Sequence, residues 1–453
     1  MRRHARNPIL LAAALLATLA GAGTARGQEP LDLETCIERA LAQNPRVDRV
    51  ERNVERSEIQ TRQAAGALLP VLSFTGAFSR YTSVSPQRLL NPATQQIVEG
   101  SATALTSVTY YTGLSLSQPL YDRSVTSVYT QALAGEQSAR AAAELERQQL
   151  VLQVHQAYYG LLRAERNLEV AAADVAYNEG LLELVRTLRE LGSRSEVDLL
   201  RQENALAQAR QRVISARNGA ASARAELNYL MGEAPTGPLA LVDDLEVTER
   251  TEEQGALLEE ARQAHPAMLQ SRLGVAAARA GVDAARASRY PSVNLSGSYS
   301  WRGDSYLEFG DAFDRDYTWS VGVNMRVPIF DGLRTRYSVD RADLELQGAR
   351  RERQAARRDV DREVHRALLD LENATQSLAA SRRSVRFAEE TLRLAREQYR
   401  LGVGSLLEVN ASQLDLVNAR YQEVQALFSL KIAQASLEFA TGSLHAASSG
   451  ERP

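Results

Sequence analysis

Four short stretches of the chain alternate apolar and small polar residues with the two-residue period of a strand. In the first, Leu72, Phe74, Gly76 and Phe78 share one face and Ser73, Thr75, Ala77 and Ser79 the other. In the second, Val108, Tyr110, Leu114 and Leu116 oppose Ser107, Thr109, Gly113, Ser115 and Ser117. The third sets Val293, Leu295, Tyr299 and Trp301 against Ser292, Asn294, Ser296, Ser298 and Ser300. The fourth sets Trp319, Val321, Val323, Met325 and Val327 against Ser320, Gly322, Asn324 and Arg326. Prolines 70, 119, 291 and 328 border these runs. The pattern predicts strands over residues 70–82, 107–119, 291–302 and 317–328. The segments Thr82 to Thr106, with Pro86, Asn91 and Pro92, and Arg302 to Asp316 have no such period and read as loops.

The rest of the chain is helical in pattern. From Leu120 to Leu191 it is free of proline and rich in Ala, Leu, Glu, Gln and Arg. A helix over 120–191, roughly 70 residues, would reach about 105 Å. It ends in the turn Leu191-Gly192-Ser193-Arg194-Ser195, followed by a return helix over 195–231. A second long helix over 330–401 ends at Leu401-Gly402-Val403-Gly404-Ser405 and returns over 405–441. A shorter helix precedes each strand pair. The first starts at Leu31 and is interrupted at Pro45; Pro266 answers Pro45 in the second, just as Pro291 answers Pro70.

The chain is therefore read as two structural repeats. Residues 28–247 hold a helix, two strands, a long helix, a return helix and a linker; residues 248–453 repeat that order and end in a C-terminal tail. In each repeat the first helix and the return helix together match the long one in length. This predicts a long helix running from the strands to a distal turn, with the two shorter helices covering its halves. Charged residues on most turns, with much alanine, suit close helix packing with one wet face.

A strand with apolar residues on one face and hydroxyls on the other fits an outer-membrane barrel, with lipid outside and water inside. The aromatics Tyr81, Tyr110, Trp301 and Trp319 are expected at the membrane interface. Four strands cannot close a barrel, and lipid does not tolerate an open sheet edge. The predicted barrel must then be shared between chains. Two copies would give eight strands and three would give twelve.

Composition removes other classes. With 53 basic and 56 acidic residues the net charge is −3, which argues against a nucleic-acid partner. Met1 to Gly27 reads as a signal peptide: Arg2, Arg3 and Arg6 precede an apolar Ile9 to Ala20 core and the site Ala25-Arg26-Gly27. Cys36 is the only cysteine, so no intrachain disulfide or multi-cysteine metal site is expected. His4, His155, His265, His365 and His445 are scattered, without a zinc-protease pattern or phosphate loop. No catalytic residue, metal site or cofactor is predicted.

The order of these elements, with Leu31-Asp32-Leu33-Glu34-Thr35-Cys36-Ile37, Asn44-Pro45, Gln118-Pro119-Leu120-Tyr121-Asp122 and Val327-Pro328-Ile329-Phe330-Asp331-Gly332, resembles the outer-membrane efflux (TolC-like) family. The resemblance implies a homotrimer in which four strands per protomer build a shared twelve-stranded β-barrel, continuous with a long α-helical barrel in the periplasm. It implies a channel-tunnel in the outer membrane, contacting its lipid, that serves as the exit duct of an efflux pump or type I secretion system. The partners would be a periplasmic adaptor, docked at the turns Gly192, Ser193, Arg194, Ser195 and Gly402, Val403, Gly404, Ser405, and an inner-membrane transporter of RND, ABC or MFS type. It also implies an acidic gate at the tip, carried by Glu408 with Asp198 at the equivalent place in the first repeat. A second gate acid falls at Ala411 and a tip arginine at Gly404, both departures from the family pattern. The competing reading is a pore-less periplasmic coiled-coil adaptor or scaffold, which heat-modifiable migration and membrane fractionation would distinguish.

Overall fold

The structure, a computed structural model, describes residues 30–90, 97–242, 254–304 and 317–444. The proposed signal peptide, the second part of the linker and most of the Arg302 to Asp316 segment lie outside the described residues. In chain order the elements are α1 (Leu33–Gln43), α2 (Pro45–Gly66), β1 (Val71–Leu90), β2 (Ile97–Tyr121), α3 (Arg123–Glu190), α4 (Glu196–Leu230), α5 (Gln254–Ala264), α6 (Pro266–Ala287), β3 (Ser292–Gly303), β4 (Tyr317–Arg326), α7 (Arg334–Arg400) and α8 (Leu406–Thr441).

The helix breaks at Pro45 and Pro266 follow one rule. Proline fits the first turn of a helix, where its missing N–H is not needed, and the residue before it caps that turn. Asn44 accepts from the Arg46 amide at 2.9 Å, and the His265 ring Nδ1 accepts from the Ala267 amide at 3.2 Å. These breaks are also the joints where the two shorter helices of each repeat meet. Asn44 Nδ2 donates to the Leu230 carbonyl at the end of α4, 2.8 Å away. Gly232 has φ +76° and a Cβ there would lie 2.8 Å from the Gln43 carbonyl oxygen; Gly442, also at +76°, would meet the His265 Cα at 2.8 Å. Only glycine meets both demands, a left-handed backbone and a close approach.

The first core cluster sits at this mid-height. Leu150, Val151, Val154, Tyr158, Leu161 and Leu162 of α3 pack on Cys36, Ile37 and Ala40 of α1, on Leu227 and Leu230, and on Phe428 and Phe439 of α8. Burial pushes the Cys36 thiol up to about 12, so it is a packing group and not a nucleophile. Tyr158 Oη donates to the Val242 carbonyl at 2.5 Å, pinning the segment that bridges Leu31 to Leu241. A second cluster lies toward the turns, where Leu181, Leu182 and Val185 meet Leu199, Val385, Leu392, Tyr399, Leu406 and Val409. No described helix is long and apolar enough to cross a membrane.

The four strands form one antiparallel sheet in the order β1-β2-β3-β4, leaving one edge of β1 and one edge of β4 unpaired within the chain. The expected loop from Thr82 to Thr106 is a correction: β1 runs to Leu90 and β2 starts at Ile97. Here the row that holds Leu72 and Phe74 continues with smaller residues, Val84 opposite Ala104 and Pro86 opposite Ala102, so the two-residue period is weaker in the sequence. Pro86, which cannot donate, is absorbed where the register shifts between Pro86 and Arg88.

At the other end the fourth strand stops at Arg326, earlier than its apolar pattern, and α7 starts at Arg334. Between them Gly332 and Leu333 both have φ +66°, and Leu333 is the one non-glycine residue with positive φ among the described residues. The Asp331 carboxylate caps α7 across this bend, accepting from the Thr335 amide at 2.8 Å, and the Thr335 bonds hold its pKa below the usual carboxylate range. Leu333→Gly should therefore stabilise the fold by about 1 kcal/mol, the left-handed penalty less the entropy of glycine. A lower thermal midpoint for this variant would show that the Leu333 side chain outweighs its backbone strain.

Candidate functional site

The two helical turns lie together at the end of the long helices. Gly192 and Gly402 open them in the left-handed region, with φ of 72° and 83°. Ser195 and Ser405 then cap the return helices: each hydroxyl accepts, at 3.3 Å, the amide of Asp198 or Glu408. Both acids thus stand at the third position of a helix, where a carboxylate is favoured by the exposed amides and the helix dipole. Around them Leu191, Leu401, Val403 and Leu407 are 72, 70, 80 and 67 % exposed, an unusual concentration of uncovered apolar groups. Asp415 lies seven residues beyond Glu408 on α8, exposed, with exposed Ala411 between them on the same stripe.

The structure adds a contact that joins the two turns. Arg194 donates to the Tyr399 carbonyl at 2.7 Å and lays its guanidinium 4.1 Å from the centre of the Tyr399 ring. The tyrosine is fully buried, and that burial raises its hydroxyl pKa, with Arg194 opposing the shift and Asp198 adding to it. Gly404 is the counterpart of Arg194 in the second turn. A Cβ there would sit 3.0 Å from the Tyr399 amide nitrogen, a tight approach that a side chain enters only if the Gln398–Tyr399 backbone gives way. Of the two turns, only the first places an arginine against Tyr399. In the sequence Arg194 was visible only as one turn residue among several, because its partner is 205 positions away.

Higher in the bundle lies a buried polar cluster. The Asp174 side chain is 1 % exposed and is paired at 2.5 Å with Arg212 of α4, itself 32 % exposed. The other carboxylate oxygen accepts from Asn178 Nδ2 at 3.0 Å and from Gln413 Nε2 of α8 at 2.8 Å. Gln202 of α4 donates to Asn178 Oδ1 at 3.0 Å. One carboxylate on α3 therefore ties the first hairpin, α3 with α4, to the second, through α8. Nothing in the helical period distinguishes these residues from ordinary wet-face positions.

The sheet separates its faces as the alternation predicts. Leu72 pairs with Leu116, Phe74 with Leu114, and Tyr299 with both Leu114 and Trp319. This face lies open: Leu72, Phe74, Trp319, Val321 and Met325 are 63 to 68 % exposed. The opposite face is a lattice of hydroxyls and amides, with Ser73 to Ser115 at 2.9 Å, Ser298 to Ser320 at 2.8 Å and Asn324 to Ser296 at 2.8 Å. Tyr110 lies on the apolar face 5.2 Å from Phe78, centre to centre. Trp319 is 65 % exposed there, whereas Trp301 is 5 % exposed and folded over Gly303. Tyr81 is placed differently from expectation. It pairs with Ser107, in register with Ser79 and Thr109, and so stands on the polar face; Arg80 takes the place in the apolar row. Among the described residues no group of His, Cys, Asp or Glu is placed to hold a metal.

A profile of the outer membrane efflux protein family matches residues 36–233 and 257–443. The chain is 29 % identical over 291 residues to protein CyaE of Bordetella pertussis, an alignment covering 64 % of this chain and 61 % of that protein. It is 24 % identical over 399 residues to the pyoverdine export outer membrane protein OpmQ of Pseudomonas aeruginosa, covering 87 and 81 %. Among solved structures, one of CusC superposes with a TM-score of 0.78 at 20 % identity, covering 90 % of this chain and 92 % of that one. The open-state MtrE outer membrane channel of Neisseria gonorrhoeae gives 0.76 at 22 % identity, covering 91 and 89 %.

Proposed function

Since the chain belongs to the outer membrane efflux protein family, and is an outer-membrane exit duct with its helical part in the periplasm rather than an enzyme, we propose that three copies assemble to form that duct. The observation that carries this reading is the sheet: an uncovered apolar face, a hydroxyl-lined face, and two unpaired edges. In lipid those edges must pair with something, and the economical partner for β4 is β1 of another copy. An eight-stranded ring has an interior filled by side chains, whereas twelve strands leave room for a channel. The small Ser, Thr and Gly residues of the polar face favour the wider ring.

The repeat extends the argument to the helices. Each protomer would bring four helices to every level of a twelve-helix tunnel, ending at the paired turns. The apolar residues uncovered there, with Gly192 to Ser195 and Gly402 to Ser405, are the proposed docking surface for a periplasmic adaptor. Through the adaptor the duct would serve an inner-membrane transporter of RND, ABC or MFS type, whose substrate sets the cargo. Glu408 and Asp198 are the proposed aperture carboxylates, and Asp415 would add a second ring above Glu408.

Light scattering of the detergent-solubilised protein should give three times the chain mass. A stable monomer that still inserts into membranes would overturn the shared barrel. In cells, photo-crosslinkers at Ser193 and Val403 should capture the adaptor and one at Ser85, at the opposite end, should not. Capture from Ser85 alone would reverse the orientation.

A further inference from the structure

At the strand-to-helix crossings the apolar face of the sheet does not end abruptly. The row Trp319, Val321, Val323 and Met325 runs on toward Ile329 and Phe330, which are 97 and 81 % exposed. All four crossings lie at one end of the sheet, because the antiparallel register sets Val71 opposite Ser117 and Ser292 opposite Arg326. At this end Tyr121, Tyr290 and Tyr337 are 49, 42 and 63 % exposed. Aromatics in such a position mark the membrane–water boundary on the periplasmic side.

Arginines share this band. Arg123 lies 4.2 Å from the centre of the Tyr290 ring. Arg289, Arg334 and Arg336 are exposed, and none makes an ion pair or side-chain hydrogen bond among the described residues. The acids in the same crossings are fewer, and Arg334 adds to the lowering of the Asp331 pKa. Asp122 accepts from the Ser124 amide and hydroxyl, and Asp331 from those of Thr335. Four arginines, Arg123, Arg289, Arg334 and Arg336, stand against the two carboxylates Asp122 and Asp331, so the band has a formal charge of +2 (4 − 2) although the chain as a whole carries −3.

Resting on the outer-membrane reading, we propose that Arg289, Arg334 and Arg336 form a collar that binds the phosphodiester headgroups of anionic phospholipids in the periplasmic leaflet. Guanidinium groups match phosphate oxygens in geometry as well as charge. Their stems can lie along the exposed aromatic and aliphatic residues while the heads reach the phosphate plane. A zwitterionic headgroup offers the same phosphate but cancels its charge, so the collar discriminates by net charge.

The full-length protein should be reconstituted in mixed bilayers of phosphatidylcholine and phosphatidylglycerol, extracted mildly, and its retained lipid quantified. Phosphatidylglycerol should be enriched on the order of fivefold over the bulk ratio, the effect expected of about one arginine per site near an anionic surface. Arg289→Gln/Arg334→Gln/Arg336→Gln should bring the ratio close to bulk without changing the particle mass, while the corresponding triple Lys variant should keep most of the enrichment. No enrichment in the wild type, or full enrichment in the Gln variant, overturns the collar. Loss of the enrichment in excess inorganic phosphate at constant ionic strength would show a free-anion site and not a lipid site. A protein that never enters the bilayer overturns the outer-membrane reading itself, a different outcome from insertion without selectivity.

Discussion

Arg212→Leu will destabilise the helical bundle by about 3 kcal/mol, the lower end of the cost of leaving a buried charge without its partner. The asymmetry of the pair decides the magnitude. Arg212 is 32 % exposed and could rehydrate if freed, but the Asp174 side chain is 1 % exposed and could not. After the substitution its carboxylate retains only the amide donors of Asn178 and Gln413. Asp174→Asn on the same background should recover more than half of the loss, because a neutral amide in that place no longer needs a cation. Thermal unfolding followed by the helical circular dichroism signal measures both steps. If the single variant melts within about 0.5 kcal/mol of wild type, or the second substitution brings no recovery, the pair is a surface contact of the ordinary weak kind.

The second large effect concerns conduction. Threefold assembly would bring three Glu408 carboxylates round the aperture, with Asp198 nearby and Asp415 about 10 Å further in along α8. Like charges in a narrow aqueous mouth focus a negative potential that attracts cations. Wild-type channels in planar bilayers should therefore be cation-selective with low conductance. Glu408→Gln should weaken both that selectivity and the block by multivalent cations added from the periplasmic side, leaving the trimer intact. Adding Asp415→Asn should remove most of what remains. The effect should also fade in concentrated salt, where the screening length drops from about 8 Å to about 3 Å.

Arg194 provides an independent arm of the same experiment. Removing its bond and ring contact to Tyr399 unties the two turns, so Arg194→Ala should raise the resting conductance, whereas Asp198→Asn, with Gly404 opposite, should change it little. Wild-type selectivity and block in the Glu408→Gln channel would mean that this carboxylate does not line the aperture.

The features legible in the sequence are those with a short period. The alternation around Phe74 or Val321 assigns a face with no knowledge of the neighbouring strand, and the helix breaks announce themselves through Pro45 and Pro266. The extended hairpin was not legible because beyond Thr82 the apolar row thins to smaller residues, Val84 with Ala104 and Pro86 with Ala102, and strand pairing alone leaves a weaker mark on composition. Tyr81 was misplaced for a related reason: aromatic character suggested a boundary, but one residue of register separates the lipid face from the lumen. The links Arg194 to Tyr399 and Asp174 to Gln413 span 205 and 239 positions. Each depends on how two hairpins are rotated against one another, which periodicity within either hairpin does not contain. The acids Glu408 and Asp198 were found by resemblance, and their local chemistry, third residues of capped helices, would be the same without any gate.

Among the described residues the two hairpins of the sheet are unequal, and most of the inequality lies at the end away from the helices. β3 and β4 have 12 and 10 residues, whereas β1 and β2 have 20 and 25. From Thr82 to Leu90 the first hairpin continues as a paired ribbon for roughly 25 Å. In the proposed trimer this ribbon would become external relief, one finger per copy standing clear of the bilayer. Antibodies, bacteriophages and proteases arriving from outside would meet backbone there that neither the pore nor the pump constrains. Its sequence would therefore be free to drift under immune or phage selection while the conduit below stays unchanged, which makes it the natural position for a displayed epitope.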